Sequence, residues 1–309
     1  MTEPPSVPEQ PAREQGAPEQ PTREQGAPEQ PAAEPADLIS RRFVFREGAF
    51  QPLAPVPDAR QRLLVADSFL VAEGRARAVD LHHDRFVGSA LASGYTDRVL
   101  LDTFWAAALE AIPPIHRWFP RVELSATASY DETGTHRQPP RHELSLLMRL
   151  APEPSSTAVL ATHGGEDPRS IPSMKGPDLV RLTALRDAAR ADGIDDVVIL
   201  TADGAIIDGT TTAILWWRGD ELHLPPADLA RVDSVTARTI RVLAQATGVP
   251  VVEERATPTD LRGLEVWAVN ALYGVRHVTE WRGGPAVRSD PTRAPQWQRR
   301  LDALARALG

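Results

Sequence analysis

The sequence contains no cysteine and, among 309 residues, a single lysine, Lys175. The absence of cysteine excludes disulfide bonds, thiolate metal sites and cysteine nucleophiles. No apolar segment reaches the ~20 residues that a membrane-spanning helix needs, and the polar, proline-rich start lacks the apolar core of a secretory signal. These absences predict a soluble, cytoplasmic protein without membrane contact.

Lysine is scarce although positive charge is not, since lysine and arginine together number 34 and all but one are arginine. On a surface the two cations are nearly equivalent. Only the lysine amine, however, can lose its proton when desolvated and attack a carbonyl to form a Schiff base. The retention of Lys175 therefore has two interpretations, a chance surface residue or a reactive amine, and its surroundings decide between them.

The net charge of −8 is concentrated in residues 1–38, which hold eight acids, two arginines and nine prolines. A ten-residue repeat starts there at Pro8, at Pro18 and, in decayed form, at Pro28. With almost nothing apolar to bury, the segment is predicted to be disordered. Either a dispensable tail or a docking segment fits it, and we favour the tail. The remainder is nearly neutral and lacks a basic, aromatic-rich patch, which argues against nucleic acid as the main partner.

The hydrophobic pattern predicts an α/β fold of the α+β kind. A small domain with antiparallel hairpins is expected over residues 39–151, then a linker near 152–156 and a larger domain over 157–309. Periodicity and capping residues, with Asp80 as the first cap, predict helices over 80–95, 99–112, 177–191, 234–247 and 295–308. Runs of β-forming residues predict strands over 43–45, 62–72, 75–79, 121–129, 142–150, 195–200, 205–207, 213–217, 250–253 and 265–269.

Three segments beyond the lysine carry polar groups suited to ligand binding. Asp208-Gly209 precedes three threonines, and the segment 270–275 is Asn-Ala-Leu-Tyr-Gly-Val. Ser234 is the predicted cap of a helix whose first N–H groups, at Val235 and Thr236, suit a phosphate. Ordinary explanations exist for the same residues, because Asp-Gly is a common turn pair and serine a common helix cap.

Lys175 and these segments, in their order and spacing, resemble the class IV aminotransferases, which are pyridoxal-phosphate (PLP) enzymes of fold type IV. The resemblance covers roughly residues 60–282, and the segment 270–275 is most similar to the 4-amino-4-deoxychorismate lyase subgroup. It implies a two-domain architecture like that of D-amino-acid aminotransferases. It also implies PLP in the cleft and a homodimer that completes each site.

The resemblance implies a role for five residues around the cofactor. Lys175 would form a Schiff base (aldimine) with PLP and afterwards shuttle the substrate proton. Asp208, where the family usually has glutamate, would keep the pyridine nitrogen protonated. Arg85, in a His-x-x-Arg segment, would bind the phosphate together with Val235 and Thr236; a solvated helix charge is the alternative for the arginine.

The resemblance implies contacts for five more residues. Thr211 and Thr212 would touch the phosphate or the ring, although strand propensity explains them almost as well. Asn270, Ala271 and Leu272 would bind the substrate, the last two offering N–H groups to its carboxylate. The eight histidines show no metal-ligand spacing, and we expect no metal site.

The chain departs from the family pattern at several places. The first strands lack the family's Asp-Arg-Gly and Gly-Asp-Gly elements, and residues 63–69 are Leu-Leu-Val-Ala-Asp-Ser-Phe instead. Asp178 and Leu179 stand where deoxychorismate lyases tend to have Asn-Arg. Arg186 matches a recurrent arginine of the same helix, but a surface charge explains it equally well. The substrate side of the pocket is therefore expected to be unusual.

Three functions remain open at this point. The first is a lyase-type reaction that eliminates pyruvate to give 4-aminobenzoate. The second is a transaminase that transfers an amino group from an amino acid to a 2-oxo acid. The third is a non-catalytic family member that acts through its N-terminal segment. In the first two, the partner is a small amino compound.

Overall fold

The computed structural model describes residues 1–2, 40–53, 61–130 and 136–308, without the side chains of 128–130 and 136–139. The prediction of a disordered segment over 1–38 therefore lies almost wholly outside the described residues. All elements below belong to one unit, residues 35–309. No helix in the described ranges combines the length and apolarity needed to cross a bilayer.

The first half of the chain forms an antiparallel sheet with two helices beside it. In chain order its elements are β1 (Ser40–Arg46), β2 (Ala49–Leu53), β3 (Gln61–Ser68), β4 (Val71–Ala72), β5 (Arg75–Ala76), α1 (Val79–Ala92), α2 (Arg98–Glu110), β6 (Arg117–Trp118), β7 (Arg121–Tyr130) and β8 (His136–Arg149). Five of the strands pair in the order β2-β1-β8-β7-β3. Phe86, Phe104 and Trp105 of the two helices belong to its buried core.

Two sequence predictions in this half are wrong. The strand predicted over 62–72 is interrupted, because β3 ends at Ser68 and β4 pairs in a different, smaller sheet. The strand predicted over 75–79 ends at Ala76, because Ala78 adopts a left-handed conformation (φ 49°) and α1 begins at Val79. Asp80 accordingly lies in the first turn of the helix and does not cap it.

The second half forms a mixed eight-stranded sheet. In chain order its elements are β9 (Thr157–Thr162), α3 (Leu179–Arg190), β10 (Asp196–Leu200), β11 (Ile206–Gly209), β12 (Ala213–Arg218), β13 (Glu221–Leu224), α4 (Val235–Ala246), β14 (Val251–Glu253), a 3-10 helix (Pro258–Leu261), β15 (Val266–Asn270), β16 (Gly274–Arg282), α5 (Ala294–Asp302) and β17 (Arg306–Ala307). The strand order is β11-β10-β9-β16-β15-β12-β13-β14. Parallel pairs join β9 to β10 and β16, and β13 to β14.

The C-terminal prediction is also wrong in part. The helix predicted over 295–308 ends at Asp302, and β17 then pairs antiparallel with β5 of the first half. A four-stranded sheet in the order β17-β5-β4-β6 results, so the end of the chain is hydrogen-bonded to its first half.

Three tryptophans form the centre of one core cluster beneath the large sheet. The ring centroid of Trp217 lies 5.4 Å from that of Trp267 and 5.6 Å from that of Trp297. All three side chains are buried, as is Trp216. Tilted and edge-to-face aromatic pairs of this kind add roughly 0.5–1.5 kcal/mol each beyond area burial.

Candidate active site

A cavity of about 410 Å³ is lined by residues of both large sheets, by one side of α3 and by the start of α4. All ten residues that the sequence singled out line this one cavity: Arg85, Lys175, Asp208, Thr211, Thr212, Val235, Thr236, Asn270, Ala271 and Leu272. The fold thus brings them together, while their individual roles stay predictions.

Strand β3 holds the loop that carries Lys175. The carbonyl of Lys175 accepts a hydrogen bond from the amide of Ala66 at 2.7 Å. The next residue, Gly176, has φ 144°, and a Cβ there would lie 2.7 Å from the Cα of Val65. Only glycine allows the loop to approach the strand so closely.

The departure from the family pattern at Asp178 has a structural reason. Its carboxylate accepts hydrogen bonds from the amide and the hydroxyl of Ser170, at 2.9 and 2.6 Å, and from the amide of Ile171 at 2.9 Å. These bonds join the two ends of the loop that carries Lys175, so Asp178 helps to fix the position of the lysine.

The amine of Lys175 has properties suited to a nucleophile. It has no hydrogen-bond or ion-pair partner among the described residues. Burial, followed by the positive charge of Arg85, lowers the pKa of Lys175 to about 8. Roughly a tenth of the amine is therefore unprotonated at pH 7, far more than for an ordinary lysine, and a Schiff-base lysine reacts in that form.

Asp208 places a carboxylate in the cavity wall, and one of its oxygens lacks a hydrogen-bond partner among the described residues. Its Oδ1 atom is buried and has no hydrogen-bond partner within the described structure. Burial raises the pKa of Asp208 to about 7, against the opposing charges of Arg169 and Arg231. The residue lies in β11, paired with Ile199, and the turn begins only after Gly209. The turn-pair explanation of Asp208-Gly209 is therefore wrong.

Arg85 is fixed by a buried carboxylate that the sequence interpretation missed. Its Nε and Nη2 donate to the two oxygens of Asp67 at 2.7 and 2.8 Å. His82 Nδ1 also lies 2.8 Å from Asp67 Oδ1. Burial alone would raise the pKa of Asp67, but Arg85 and His82 hold it well below its usual range. An acid inside the apolar run of residues 63–69 was the sequence signal for this pair.

The start of α4 presents free backbone donors beside that arginine. Arg85 Nη1 donates to the carbonyl of Asp233 at 2.8 Å, which brings the guanidinium to the helix N-terminus. Ser234 caps the helix as predicted, since its hydroxyl accepts from the amide of Ala237. The amides of Val235 and Thr236 have no partner among the described residues. Two free N–H groups and a guanidinium are a suitable cradle for a phosphate.

A second missed carboxylate, Asp196, organises the threonine turn. It is fully buried and accepts hydrogen bonds from the hydroxyls of Thr210, Thr211 and Thr212, the last two at 3.1 and 2.6 Å. The threonine hydroxyl protons are thus directed to Asp196 and not to the cavity. The amide of Thr212, in contrast, has no partner among the described residues.

The segment 270–275 forms a turn with two free amides. The Asn270 side chain accepts from the amide of Tyr273 at 2.9 Å, and Gly274 has φ 75°. The amides of Ala271 and Leu272 have no partner within the described part of the chain. The turn can therefore donate two hydrogen bonds to a carboxylate in the cavity. Asn270 serves the turn through its side chain.

The sequence matches one family along most of its length. A family model described as amino-transferase class IV matches residues 64–281. The chain belongs to the class IV aminotransferases. This family consists of PLP-dependent enzymes, and the cavity fits the cofactor: an unpaired amine, an orphaned buried carboxylate and a cradle of free N–H groups line the same space.

Solved structures share the fold at low identity. An aminotransferase from Brucella abortus bound to PLP is 17% identical, with a TM-score of 0.69 over 85% of this chain and 97% of that chain. A branched-chain aminotransferase from Thermoproteus uzoniensis with norvaline is 16% identical, with a TM-score of 0.69 over 85% and 94%. A candidate 4-amino-4-deoxychorismate lyase from Legionella pneumophila is 14% identical, with a TM-score of 0.69 over 81% and 96%. The fold type IV expectation is thereby confirmed.

No curated protein matches the chain at a significant level. Within the described ranges, no group of three or more histidine or acidic side chains is arranged to hold a metal ion.

Proposed function

We propose that this class IV aminotransferase acts on an amino compound at Lys175 by a reaction of the 4-amino-4-deoxychorismate lyase type. That reaction removes the proton from the carbon that bears the amine, breaks the neighbouring ether C–O bond and passes a proton to the departing pyruvate, leaving 4-aminobenzoate. PLP, when bound, supplies an aldehyde that condenses with amines and a ring that accepts electrons from the reacting carbon.

The observation that carries the proposal is that Lys175 and Asp208 line the same cavity and that neither the Lys175 amine nor Asp208 Oδ1 has a hydrogen-bond partner among the described residues. The unpartnered Lys175 amine, with its pKa lowered to about 8, can take a proton from carbon and return it within the physiological range. Asp208 offers a buried oxygen without a partner, the place at which a protonated ring nitrogen is stabilised.

Three groups would hold the phosphate and the substrate carboxylate. Arg85, oriented by Asp67, and the free amides of Val235 and Thr236 favour the phosphate. The free amides of Ala271 and Leu272 favour a substrate carboxylate. Each of these donors is preorganised by neighbouring elements, so little ordering is needed when a ligand binds.

Amino transfer is the second candidate. Its supporting observation is the turn at 270–275, because the Asn270 side chain bonds to the backbone of Tyr273. Asn270 of the lyase-like segment therefore has a role in turn formation, so this residue does not by itself favour the lyase. Both reactions use the same proton transfer by Lys175, and they differ in which bond breaks afterwards.

We further propose a homodimer in the cytoplasm, with the domain boundary near residues 152–156. These points rest on the resemblance and on the charge and composition of the sequence.

The decisive test is borohydride reduction of the purified protein after addition of PLP, followed by peptide mass mapping. Because Lys175 is the only lysine, it is the one side chain at which a reduced PLP adduct can form. We expect a yellow protein and PLP mass on Lys175, formed faster as the pH rises through about 8, where the amine loses its proton. A colourless protein without adduct would contradict the proposal and favour the non-catalytic hypothesis.

The two reactions are then separated by their products. Incubation of the PLP-loaded enzyme with 4-amino-4-deoxychorismate is expected to release pyruvate and 4-aminobenzoate. Amino transfer between an amino acid and a 2-oxo acid, without pyruvate release, would instead establish the transaminase.

A further inference from the structure

Several arginines that the proposed chemistry does not use line the same cavity, among them Arg149 and Arg186. Arg149 is the last residue of β8, and Arg186 belongs to α3, which follows the Lys175 loop. A third arginine, Arg121 of β7, pairs with Leu147 and so lies on the same face of the sheet as Arg149. The charges of Arg121 and Arg186 both act on Arg149.

The acids near this group do not balance its charge. Glu123 is engaged by two guanidinium groups, Arg42 and Arg121, the latter at 2.5 Å. It therefore has little left to offer to Arg149, with which no ion pair is formed within the described structure. Arg186 has only the exposed Asp187, at 3.4 Å.

The hydrogen bonds of Arg149 all go to neutral groups. Its Nε donates to the carbonyl of Phe119 at 3.2 Å, its Nη2 reaches the hydroxyl of Ser68 at 3.4 Å, and its guanidinium lies 5.0 Å from the ring centre of Phe119. Burial, and then the charge of Arg121, lowers the pKa of Arg149 to about 10, so it stays cationic at neutral pH.

Arg186 has an unmet donor as well. Its Nε is buried and has no hydrogen-bond partner among the described residues. Both guanidinium groups are partly buried and have little opposing charge close by, which is costly and favours the binding of an anion. The unpartnered Nε of Arg186 and the guanidinium of Arg149, whose charge Glu123 offsets only in part, share the cavity with the Lys175 amine.

We propose that Arg149 and Arg186 form a second anion subsite that binds a carboxylate of the substrate other than the one at the amides of Ala271 and Leu272. The substrate is accordingly a dicarboxylate. This inference rests on the proposed function, because it takes the cavity to be the substrate site. Both the ring dicarboxylate of the lyase reaction and an acyclic amino dicarboxylate of a transaminase carry the required second carboxylate.

The test is calorimetric titration of the full chain, with and without added PLP, using glutarate against valerate, two acids of equal carbon number. We expect glutarate to bind at least tenfold more tightly. Arg149→Gln and Arg186→Gln should each reduce glutarate affinity by about tenfold to a hundredfold, the range for a lost charged hydrogen bond, and leave valerate binding unchanged. Arg98→Gln, which removes an exposed arginine of α2, is the matched charge control and should bind like the wild type.

Equal binding of the two acids by the wild-type protein, or an equal loss in Arg98→Gln, would overturn the subsite. Should Arg149→Gln fail to fold, Arg186→Gln decides alone, because Arg186 is partly exposed and belongs to a helix without fully buried residues. Chorismate against 2-oxoglutarate then shows which kind of dicarboxylate the site prefers. If the protein takes up PLP on Lys175 but binds glutarate and valerate equally, only the subsite proposal is overturned. If the protein binds glutarate more tightly than valerate but takes up no PLP, only the proposed function is overturned.

Discussion

At the scale of single residues, the candidate site combines polar groups without partners, such as Lys175 and Asp208, with groups fixed by buried carboxylates, such as Arg85. Lys175 could be singled out from the sequence because it is the only lysine, and the structure gives that choice a physical basis in its burial and lowered pKa. Asp67 and Asp196 could not be identified as positioning residues from sequence alone. Their function depends on hydrogen bonds to Arg85 and to the 210–212 turn, which are distant in sequence.

Asp208 is expected to destabilise the cofactor-free protein in a pH-dependent way. Its pKa is raised from 3.8 to about 7 on folding, so the folded state binds more protons between these values and the free energy of unfolding falls as the pH rises through that window. The ceiling of this loss is roughly 4 kcal/mol by linkage. We expect about 1–2 kcal/mol, because water in the cavity screens part of the charge.

Asp208→Asn removes this loss. In urea unfolding the cofactor-free variant should exceed the wild type by about 1–2 kcal/mol near pH 8 and by only about a third of that near pH 5, while PLP uptake weakens. Asp203→Asn is the control. Hydrogen bonds from Thr201 and Arg255 lower the pKa of Asp203, so this variant should become less stable than the wild type as the pH rises. A stability difference for Asp208→Asn that does not change with pH would contradict the argument.

At the scale of elements, the sequence was most informative where a helix or strand follows its own local pattern. The helix α2, with Asp97 as its cap, and the strands β7, β10 and β12 lie close to their predicted positions, whereas β8 begins six residues before its predicted start. Strand β16 was not predicted, because Arg276 and His277 are polar yet buried and mask its apolar character. Strand β17 was missed because its only partner, β5, lies more than two hundred residues earlier.

The approach of β3 to the Lys175 loop is an element-scale contact that one substitution can test. In Gly176→Ala the new Cβ would meet backbone atoms, at 2.7 Å from Val65 Cα and 2.9 Å from Ala66 N, so no side-chain rotation relieves the collision. We expect a loss of about 3 kcal/mol or more in the free energy of unfolding and slower PLP uptake, since the loop must move.

Gly94→Ala is the control that separates the backbone strain of a positive φ from the steric clash expected in Gly176→Ala. Gly94 also has a positive φ, 94°, but nothing lies within 4 Å of its would-be Cβ. Its substitution should cost only about 1 kcal/mol and leave PLP uptake unchanged. Similar losses in the two variants, measured by urea unfolding, would show that the contact with β3 does not position the lysine.

At the scale of the whole molecule, the site depends on elements far apart in the chain. Residues from the first sheet, the Lys175 loop, the start of α4 and the 270–275 turn share one cavity, and β17 joins the C-terminus to β5. All ten predicted site residues lie within residues 85–272, inside the family match over 64–281. The acidic repeat of residues 1–38 lies outside that match.

Removal of residues 1–38 is therefore expected to leave the enzyme intact. The deletion takes away eight acids and two arginines and so reduces the net charge from −8 to −2. Because the site residues and the core elements that hold them lie beyond it, the urea midpoint, the PLP adduct at Lys175 and the mass of the assembly by light scattering should all match those of the full chain. Loss of PLP uptake, or a change from dimer to monomer, would show that the repeat takes part in the fold or the assembly and would exclude the dispensable tail. If only solubility falls as the net charge approaches zero, the repeat acts through its charge, as a solvating segment does.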